Sequence, residues 1–147
     1  MQFSGEERFA LPVDELWERL VDLEFLAGIL PGMQRVESLE PERMVCRVKP
    51  GFSFLTGSLK LTLEVVEQHQ PDTARMQVFG KGIGTSVLVE TLCELEPDGD
   101  QTRLCWQGEI KELGGMLKSV SRGLIEAAAK KIIEQAWTDF RRELDRA

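Results

Sequence analysis

The chain has 147 residues, of which 42% are hydrophobic and 29% are charged, a balance that predicts one folded domain over residues 1–147. Its formal charge of −7 argues against a nucleic-acid partner, because such binding depends on cationic side chains that neutralise phosphates. No apolar run approaches the roughly 20 residues needed to span a bilayer, and the first residues do not resemble a signal peptide, so we expect a cytoplasmic protein.

The first elements of the chain are predicted to be one strand and two short helices. Residues 2–9 alternate with a period of two, although Glu7 puts a charge among the positions of the predicted inner face. A helix is predicted to begin at Pro12, which is followed by acidic residues, as is typical of a first helical turn. A second helix, over about residues 23–30, is very apolar and ends at a Pro-Gly pair.

Six further strands and one long helix complete the prediction. Turn residues separate the strands by only a few positions, which predicts an antiparallel meander. From residue 116 to residue 144, apolar residues recur at spacings of three and four, which predicts a helix. The six predicted strands cover residues 33–39, 43–49, 57–68, 74–81, 85–95 and 102–112.

The lengths of these elements predict the architecture. A helix of about 29 residues runs for about 43 Å, and a strand of about 12 residues runs for about 40 Å, so one helix matches the length of the sheet. We predict an α+β helix-grip fold, in which a curved antiparallel sheet of about seven strands wraps around the C-terminal helix. Because one helix about 10 Å wide cannot fill the concave side of such a sheet, the fold predicts a gap between them.

Six segments that cover nearly the whole chain carry a family resemblance. They read "FALPVDELWERLVDLEFLAGILPG", "TGSLKLTLEV", "GKGIG", "GDQTRLCWQGEI", "LGGML" and "GLIEAAAKKIIEQAWTDF". In this order they resemble the carbon monoxide dehydrogenase G-subunit (CoxG)-like family of the START-like superfamily. The resemblance implies a START-like domain with an apolar-ligand cavity. It also implies a supporting role beside molybdenum-containing hydroxylases of the CO dehydrogenase type, in maturation or in attachment to the inner face of the membrane.

The leading hypothesis is a non-enzymatic protein that holds a bulky apolar molecule, such as a lipid, an isoprenoid or a quinone, between the sheet and the long helix. The second short helix is interpreted as a gate over this cavity, with a static, buried helix pair as the alternative. For the apolar stretch at residues 52–55, a partner surface, a lid and a folded-in loop remain open. Each predicted lining residue has core packing as its alternative. The residues predicted to line the cavity or its gate are Trp17, Leu26, Ile29, Leu30, Phe52, Phe54, Met76, Trp106, Leu117, Leu124 and Ala128.

Candidate catalytic and metal-binding groups are scarce in the sequence. His69 is the single histidine and precedes a predicted turn, so we interpret it as solvated rather than as a general base. Cys46, Cys93 and Cys105 form no CxxC pair and lie in apolar stretches, which indicates reduced, buried side chains rather than metal ligands or disulfides. We therefore predict no catalytic residue, no metal and no cofactor.

Two other features have a functional and a structural interpretation. The sequence "GKGIG" at residues 80–84 lacks the phosphate-loop pattern and lies between strands, so we favour hairpin glycines. Glu7, Glu90 and Glu109 are candidates for acid–base chemistry by paired carboxylates, but we favour surface or rim positions for them.

Two alternatives to a ligand carrier remain open. A START-like enzyme acting on an apolar substrate, such as a cyclase, dehydratase or hydrolase, needs at least two polar residues that converge in the cavity with perturbed pKa values. A protein-interaction module would instead have a filled core and would act through residues 24–33 and 50–57. The basic residues of the long helix are interpreted as a solvated face with i,i+4 pairs such as Arg122–Glu126 and Lys130–Glu134, rather than as a face for anionic lipid.

Overall fold

The computed structural model describes residues 1–55 and 57–146. The chain forms one seven-stranded antiparallel sheet in the order β1-β7-β6-β5-β4-β3-β2, with two short helices and one long C-terminal helix. The predicted α+β helix-grip architecture is therefore confirmed. The strands are β1 (Gln2–Phe9), β2 (Met33–Leu39), β3 (Arg43–Val48), β4 (Leu59–His69), β5 (Thr73–Gly82), β6 (Thr85–Asp98) and β7 (Gln101–Gly115), and the helices are α1 (Val13–Leu20), α2 (Leu23–Ala27) and α3 (Arg122–Arg146).

Alternation along the strands gives the sheet an apolar concave face and a charged convex face. The register pairs Gly5 with Trp106 between β1 and β7, and Met44 with Leu63 between β3 and β4, so the members of each pair share the concave face. A side chain at Gly5 would meet the Trp106 ring at 2.7 Å. Glycine at this position is therefore what allows the indole ring to lie over β1.

The C-terminal helix begins later than the sequence pattern predicts. A 3₁₀ turn covers Met116–Ser119, and α3 begins only at Arg122. The hydroxyl of Ser121 accepts a hydrogen bond from the backbone N–H of Leu124 at 3.3 Å, as the side chain of an N-terminal cap does. The prediction of one continuous helix was therefore wrong for residues 116–121, because a cap interrupts the apolar periodicity there.

The exposed side of α3 carries ion pairs within the helix. Lys130 pairs with Glu126 at 3.4 Å. The predicted pairs Arg122–Glu126 and Lys130–Glu134 are therefore both wrong in the part of the chain that the structure describes. Arg142 pairs with Asp139 at 3.1 Å. Such pairs contribute about 0.2–0.5 kcal/mol each to a helix, so this side of α3 is a solvated face, as predicted.

One end of the concave face is filled by aromatic side chains, and we call it the closed end. Phe140, near the end of α3, is 2% exposed and packs edge-on against Phe9 of β1, with ring centroids 5.7 Å apart. It makes similar edge-on contacts with Phe25 of α2 and with Trp137. Each aromatic pair contributes about 0.5–1.5 kcal/mol beyond its buried area. This aromatic cluster therefore fixes the last part of α3 against β1 and α2.

A second apolar cluster lies under α2, over strands β3 and β4. Its buried members include Leu23 of α2, Met44 and Cys46 of β3, and Leu63 of β4. Leu26 packs against both this cluster and the aromatic cluster. Helix α2 therefore connects the two halves of the core across the concave face.

The opposite end of the sheet is formed by connecting segments, and we call it the loop end. Because neighbouring strands run in opposite directions, the β3–β4 loop (residues 49–58), the β5–β6 hairpin (residues 82–85) and the segment between β7 and α3 (residues 116–121) all lie there. The backbone N–H of Met116 donates a hydrogen bond to the carbonyl of Gly84 at 2.8 Å. Helix α3 begins at this end and runs toward the closed end.

Candidate functional site

The middle of the interface between the sheet and α3 is not packed solid. Val87 and Val89 on the concave face are only half-buried. Ala129 and Ile133, which lie on the same face of α3 as the buried Ile125, are half-buried as well. Apolar side chains on two facing surfaces lose their solvent exposure when the surfaces interdigitate. The half-buried apolar side chains on both surfaces therefore indicate a groove between the sheet and the helix.

At the loop end this groove opens into a pocket with a volume of about 490 Å³. Its floor is apolar and is formed by Ile110 and Leu113 of β7, Leu117 of the 3₁₀ turn and Ile125 of α3. Leu117 and Ile125 are buried, whereas the two β7 residues are half-buried. A pocket on the convex face has a similar volume of about 480 Å³, so the apolar floor rather than the size distinguishes the pocket at the loop end.

Charged residues surround the mouth of this pocket. Lys118 and Arg122 are exposed, and no carboxylate of residues 1–55 and 57–146 lies within 4.0 Å of either cation. The ammonium group of Lys111 is instead directed to the convex side, where it lies 3.5 Å from Glu109. Glu112 is the one acidic residue among the described lining residues. The mouth of the pocket therefore carries more unpaired positive than negative charge.

The residues predicted to line a cavity are distributed over several parts of the molecule. Leu117 lines the pocket at the loop end. Leu124 is 56% exposed, and Ala128 is half-buried at the edge of the helix face that points to the sheet. The other predicted residues lie in or against the apolar clusters or in the β3–β4 loop: Trp17, Ile29 and Trp106 in or against the aromatic cluster, Leu26 between the two clusters, Leu30 and Met76 against the second cluster, and Phe52 and Phe54 in the loop.

The apolar segment at the end of α2 covers part of the concave face. Asp22 caps this short helix by accepting hydrogen bonds from the backbone N–H groups of Glu24 and Phe25. Gly32 follows with a φ of +73°, and any side chain there would collide with the backbone of Lys49. The Pro-Gly pair therefore ends the apolar segment that covers the concave face, and the chain continues into β2. Movement of this cover as a gate stays a prediction.

The β3–β4 loop presents a pair of stacked aromatic rings. Phe52 and Phe54 have centroids 5.6 Å apart and an interplanar angle of 3°, and both are half-buried. Leu55 packs against the second apolar cluster, so this part of the loop is folded onto the core. Thr56, within the predicted interaction segment 50–57, lies outside the described residues.

The three candidate carboxylates do not form a shared site. Glu7 lies on the concave face at the closed end, where its carboxylate accepts a hydrogen bond from Arg141 of α3 at 3.0 Å. The Arg141 guanidinium also lies 4.2 Å from the centre of the Phe9 ring. Glu90 and Glu109 are cross-strand partners on the convex face, where both line a second pocket of about 480 Å³. Glu7 therefore ties α3 to β1, and the other two are surface residues, as we had favoured.

The carboxyl groups with shifted pKa values lie on the convex face, away from the groove. A hydrogen bond from Arg103, at 2.9 Å, lowers the pKa of Glu6. A hydrogen bond from Arg47, at 2.7 Å, likewise lowers the pKa of Glu37. On the concave face, where Cys93 packs against the aromatic cluster, desolvation raises the pKa of its thiol to about 12. Neither Glu6 nor Glu37 lines the pocket at the loop end.

The remaining candidates for chemistry are exposed or isolated. His69 is exposed, and its Nε2 atom lies 2.9 Å from a carboxylate oxygen of Glu67. All three cysteines are free: Cys46 is buried, and the other two are half-buried. Within residues 1–55 and 57–146, no three His, Cys, Asp or Glu side chains are grouped so that they could hold a metal ion. No helix in the same residues has both the length and the apolar character that crossing a membrane requires.

The loop end differs in charge from the rest of this acidic chain. Its hairpin carries Ile83, which is 92% exposed, and the neighbouring Met116 is 52% exposed. Gly84 beside them has a φ of +67°, so the interpretation of "GKGIG" as a hairpin sequence is confirmed. The loop end therefore combines exposed apolar side chains with an excess of basic residues. Its connecting segments, residues 49–58, 82–85 and 116–121, contain no Asp or Glu and include Lys49 and Lys118.

Several residues that define the groove are not among the predicted lining residues. Ile110 and Ile125 fall within the predicted strand 102–112 and the predicted helix 116–144 without being predicted as lining residues, and Leu113 lies outside both ranges. Ala129 marks the centre of the helix face toward the sheet, because it lies four residues after Ile125 and eleven before the buried Phe140. Prediction of the centre of this helix face would have required knowledge of which strand each residue of α3 packs against.

An antiparallel sheet that wraps around one long C-terminal helix, with two short helices after its first strand, defines this chain as a START-like, helix-grip protein. The chain belongs to the carbon monoxide dehydrogenase G-subunit (CoxG) family, whose family profile matches residues 5–145. No curated protein matches the sequence significantly.

Solved structures share this fold at low sequence identity. The crystal structure of a conserved protein from Geobacillus kaustophilus aligns with a TM-score of 0.88 at 20% identity, over 99% of this chain and 96% of that one. A solution structure from Arthrobacter aurescens aligns with a TM-score of 0.65 at 14% identity, over 96% and 86% of the two chains. A crystal structure from Thermus thermophilus aligns with a TM-score of 0.64 at 15% identity, over 97% and 96%. At these identities the likeness concerns the fold alone.

Proposed function

We propose that the protein binds a bulky apolar molecule, such as a lipid, an isoprenoid or a quinone-like compound, in the groove between the sheet and α3. The observation that carries this proposal is the pocket at the loop end, whose floor of Ile110, Leu113, Leu117 and Ile125 is apolar. Covering apolar surface contributes about 25 cal/mol per Å², so a ligand that fills the groove gains affinity without any charged contact.

The difference between the two ends of the groove supports a limit on how deeply a ligand can enter. At the closed end, Phe140 and Trp137 occupy the space between α3 and β1. Toward the loop end, the residues of α3 that face the sheet are smaller. Ala129 is one of them, and its methyl group leaves space between α3 and the sheet that an aromatic side chain would occupy. A guest molecule therefore enters from the loop end and reaches as far as the aromatic cluster.

A groove-filling variant tests this proposal. Ala129→Trp places an indole between α3 and the sheet, and we expect it to reduce the amount of bound ligand at least roughly tenfold. The matched control is Ala127→Trp, because Ala127 is exposed and lies on another face of the same helix. The measurements are mass spectrometry of organic extracts of the purified proteins and titration with isoprenoids, quinones and acyl lipids. If wild-type protein yields no apolar compound and binds none of the panel, the proposal fails.

We also propose that the loop end makes peripheral contact with an anionic membrane surface. The specific observation in favour is the combination of the acid-free segments with the exposed side chains of Ile83 and Met116. Cationic residues near a membrane are attracted to anionic headgroups, and an apolar side chain at a hairpin tip adds the free energy of its burial. A carrier that docks with the open end of its groove toward the lipid can exchange an apolar ligand directly.

Vesicle binding tests the membrane contact. Ile83→Asp is expected to weaken binding to phosphatidylglycerol vesicles roughly tenfold, since it removes an apolar contact and adds a negative charge. Val66→Asp is the control, because Val66 is also exposed but lies in β4 away from the loop end. Equal binding of the two variants, or equal binding of wild-type protein to phosphatidylcholine vesicles, would contradict the contact.

Family membership supports one further part of the proposal. The family is described as a subunit of carbon monoxide dehydrogenase, and we propose that this protein supports maturation or membrane attachment of a molybdenum-containing hydroxylase of that type. Cells that lack the protein should then lose hydroxylase activity from the membrane fraction. Restoration by wild-type protein but not by Ala129→Trp would connect that role to the groove.

A further inference from the structure

The pocket at the loop end combines a buried apolar floor with an exposed polar mouth. Leu117 and Ile125 are buried at its base, whereas Lys118 and Arg122 line the same pocket and are exposed. The polar and apolar groups are therefore separated along the depth of the pocket. A molecule that matches this separation has an apolar part at one end and a polar group at the other.

The sign of the polar group follows from the charges at the mouth. Lys118 and Arg122 have no carboxylate within 4.0 Å among the residues that the structure describes, so their charges are available to a ligand. Lys111 is neutralised on the convex side by Glu90 and Glu109, at 3.6 and 3.5 Å. The contribution of Glu112, which also lines the pocket, is outweighed by the two cations.

We propose that this pocket takes a single-chain anionic amphiphile, with the apolar chain along the groove and the anionic group, a carboxylate, at Lys118 and Arg122. This inference rests on the proposed binding of apolar ligands in the groove and adds a preference for the ligand's head group. The guanidinium of Arg122 suits the site, because its planar fork donates two parallel hydrogen bonds to a carboxylate. The ammonium group of Lys118 adds a second positive charge without a fixed geometry.

Three compounds that share one apolar chain separate the contribution of the head group from that of the chain. Dodecanoate, dodecanol and dodecyltrimethylammonium are titrated below their micelle concentrations at about pH 8, where the carboxylate is ionised. The readout is displacement of a fluorescent apolar probe from the groove. We expect dodecanoate to bind roughly fivefold more tightly than dodecanol, since two partly exposed charge contacts contribute at that level. The cationic compound should bind more weakly than the alcohol.

Charge-matched variants identify the residues that are responsible. The double variant Lys118→Gln and Arg122→Gln should lose the preference for dodecanoate and keep the affinity for dodecanol. The control is Lys49→Gln with Lys81→Gln, which removes the same charge from exposed residues of the loop end outside the described lining of the pocket. Screening with a length of about 8 Å at physiological salt limits the effect of the control to less than about twofold.

Three results would contradict the proposed preference for an anionic head group. Equal affinities of wild-type protein for dodecanoate and dodecanol overturn the head-group preference but leave the proposed apolar binding intact. Equal losses in the two double variants also overturn it, because they show a general effect of net charge. If none of the three compounds displaces the probe and Ala129→Trp retains full probe binding, the proposed function fails together with this inference.

Discussion

The closed end and the loop end of the interface between the sheet and α3 are built from different side chains and have different roles. At the closed end, Phe140 packs edge-on against Phe9 and Trp137, and Phe9 and Trp137 meet at a tilt of 50°. At the loop end, Ile125 of the same helix lines a pocket of about 490 Å³. Ala129, one turn later, is half-buried. One helix therefore acts as a core element over its last turns and as the wall of a groove over its first ones.

This difference separates stability from ligand binding along a single element. Packing of α3 at the closed end fixes the helix against β1, so the loop end can remain open without loss of the fold. The hydrogen bonds of Arg141 to the Glu7 carboxylate and to the Arg8 carbonyl, at 3.0 and 2.8 Å, reinforce the attachment at the closed end. The comparison predicts that large stability effects will come from the closed end and that binding effects will come from the loop end.

The largest effect is expected from Phe140→Ala. Removing a buried phenylalanine deletes its apolar contacts and leaves a cavity, which costs about 3–5 kcal/mol. Chemical denaturation should show this loss as a lower free energy of unfolding, while probe binding per folded molecule remains unchanged.

The matched control for this substitution is Leu124→Ala, on the same helix but at the loop end. Because Leu124 is 56% exposed, its truncation should cost less than about 0.5 kcal/mol. Similar losses for the two variants would mean that the two ends contribute alike, and the comparison would fail.

A smaller effect is expected from Thr102→Val, which tests a polar contact at the closed end. The Thr102 side chain is fully buried, and its hydroxyl donates a hydrogen bond to the Leu11 carbonyl at 2.7 Å. Valine keeps the shape but leaves that carbonyl without its partner, which costs about 1–2 kcal/mol. The control Thr138→Val removes an exposed hydroxyl that only bonds within α3, so denaturation should show almost no change. An unchanged free energy of unfolding in Thr102→Val would contradict this prediction and would mean that the hydrogen bond makes no net contribution to stability.

The sequence was sufficient to predict the architecture because each strand carries its own signal. In β4, the alternation of Leu59, Leu61, Leu63 and Val65 with polar residues reports directly on the two faces of the sheet. The late start of α3 also had a local signal, since Ser121 is a typical capping residue. It was overlooked because the apolar periodicity continues across it.

The groove was harder to predict because it depends on contacts between distant parts of the chain. Phe140 falls within the predicted helix 116–144, but nothing local indicates that its ring meets Phe9 and Phe25. The same limit applies to Leu124, whose spacing fits the stripe although the structure leaves the side chain half-exposed. The strands that pack against α3 determine which of its faces is directed toward the sheet. Some of these strands, such as β1, are separated from α3 by almost the whole length of the sequence.

The smallest effect is expected on the convex face, which belongs to neither end of the groove. A hydrogen bond from Arg103 lowers the pKa of Glu6 in the folded protein. Since the unfolded glutamate binds its proton near its ordinary pKa of about 4.3, the pair stabilises the fold fully above that pH, and this contribution disappears as the pH falls through the lower folded pKa. Glu6→Gln should therefore make the free energy of unfolding fall less steeply between about pH 5 and pH 3 than in the wild type.

The control for this pH dependence is Glu40→Gln, which removes an exposed carboxylate that has no ion pair among residues 1–55 and 57–146. Its pH profile should match that of the wild type. Because Glu6 lies on the face opposite the groove, the affinity for an apolar probe should be the same in both variants at neutral pH. A change in probe affinity in Glu6→Gln alone would mean that the convex face influences the groove, and the separation of stability from binding would have to include the sheet itself.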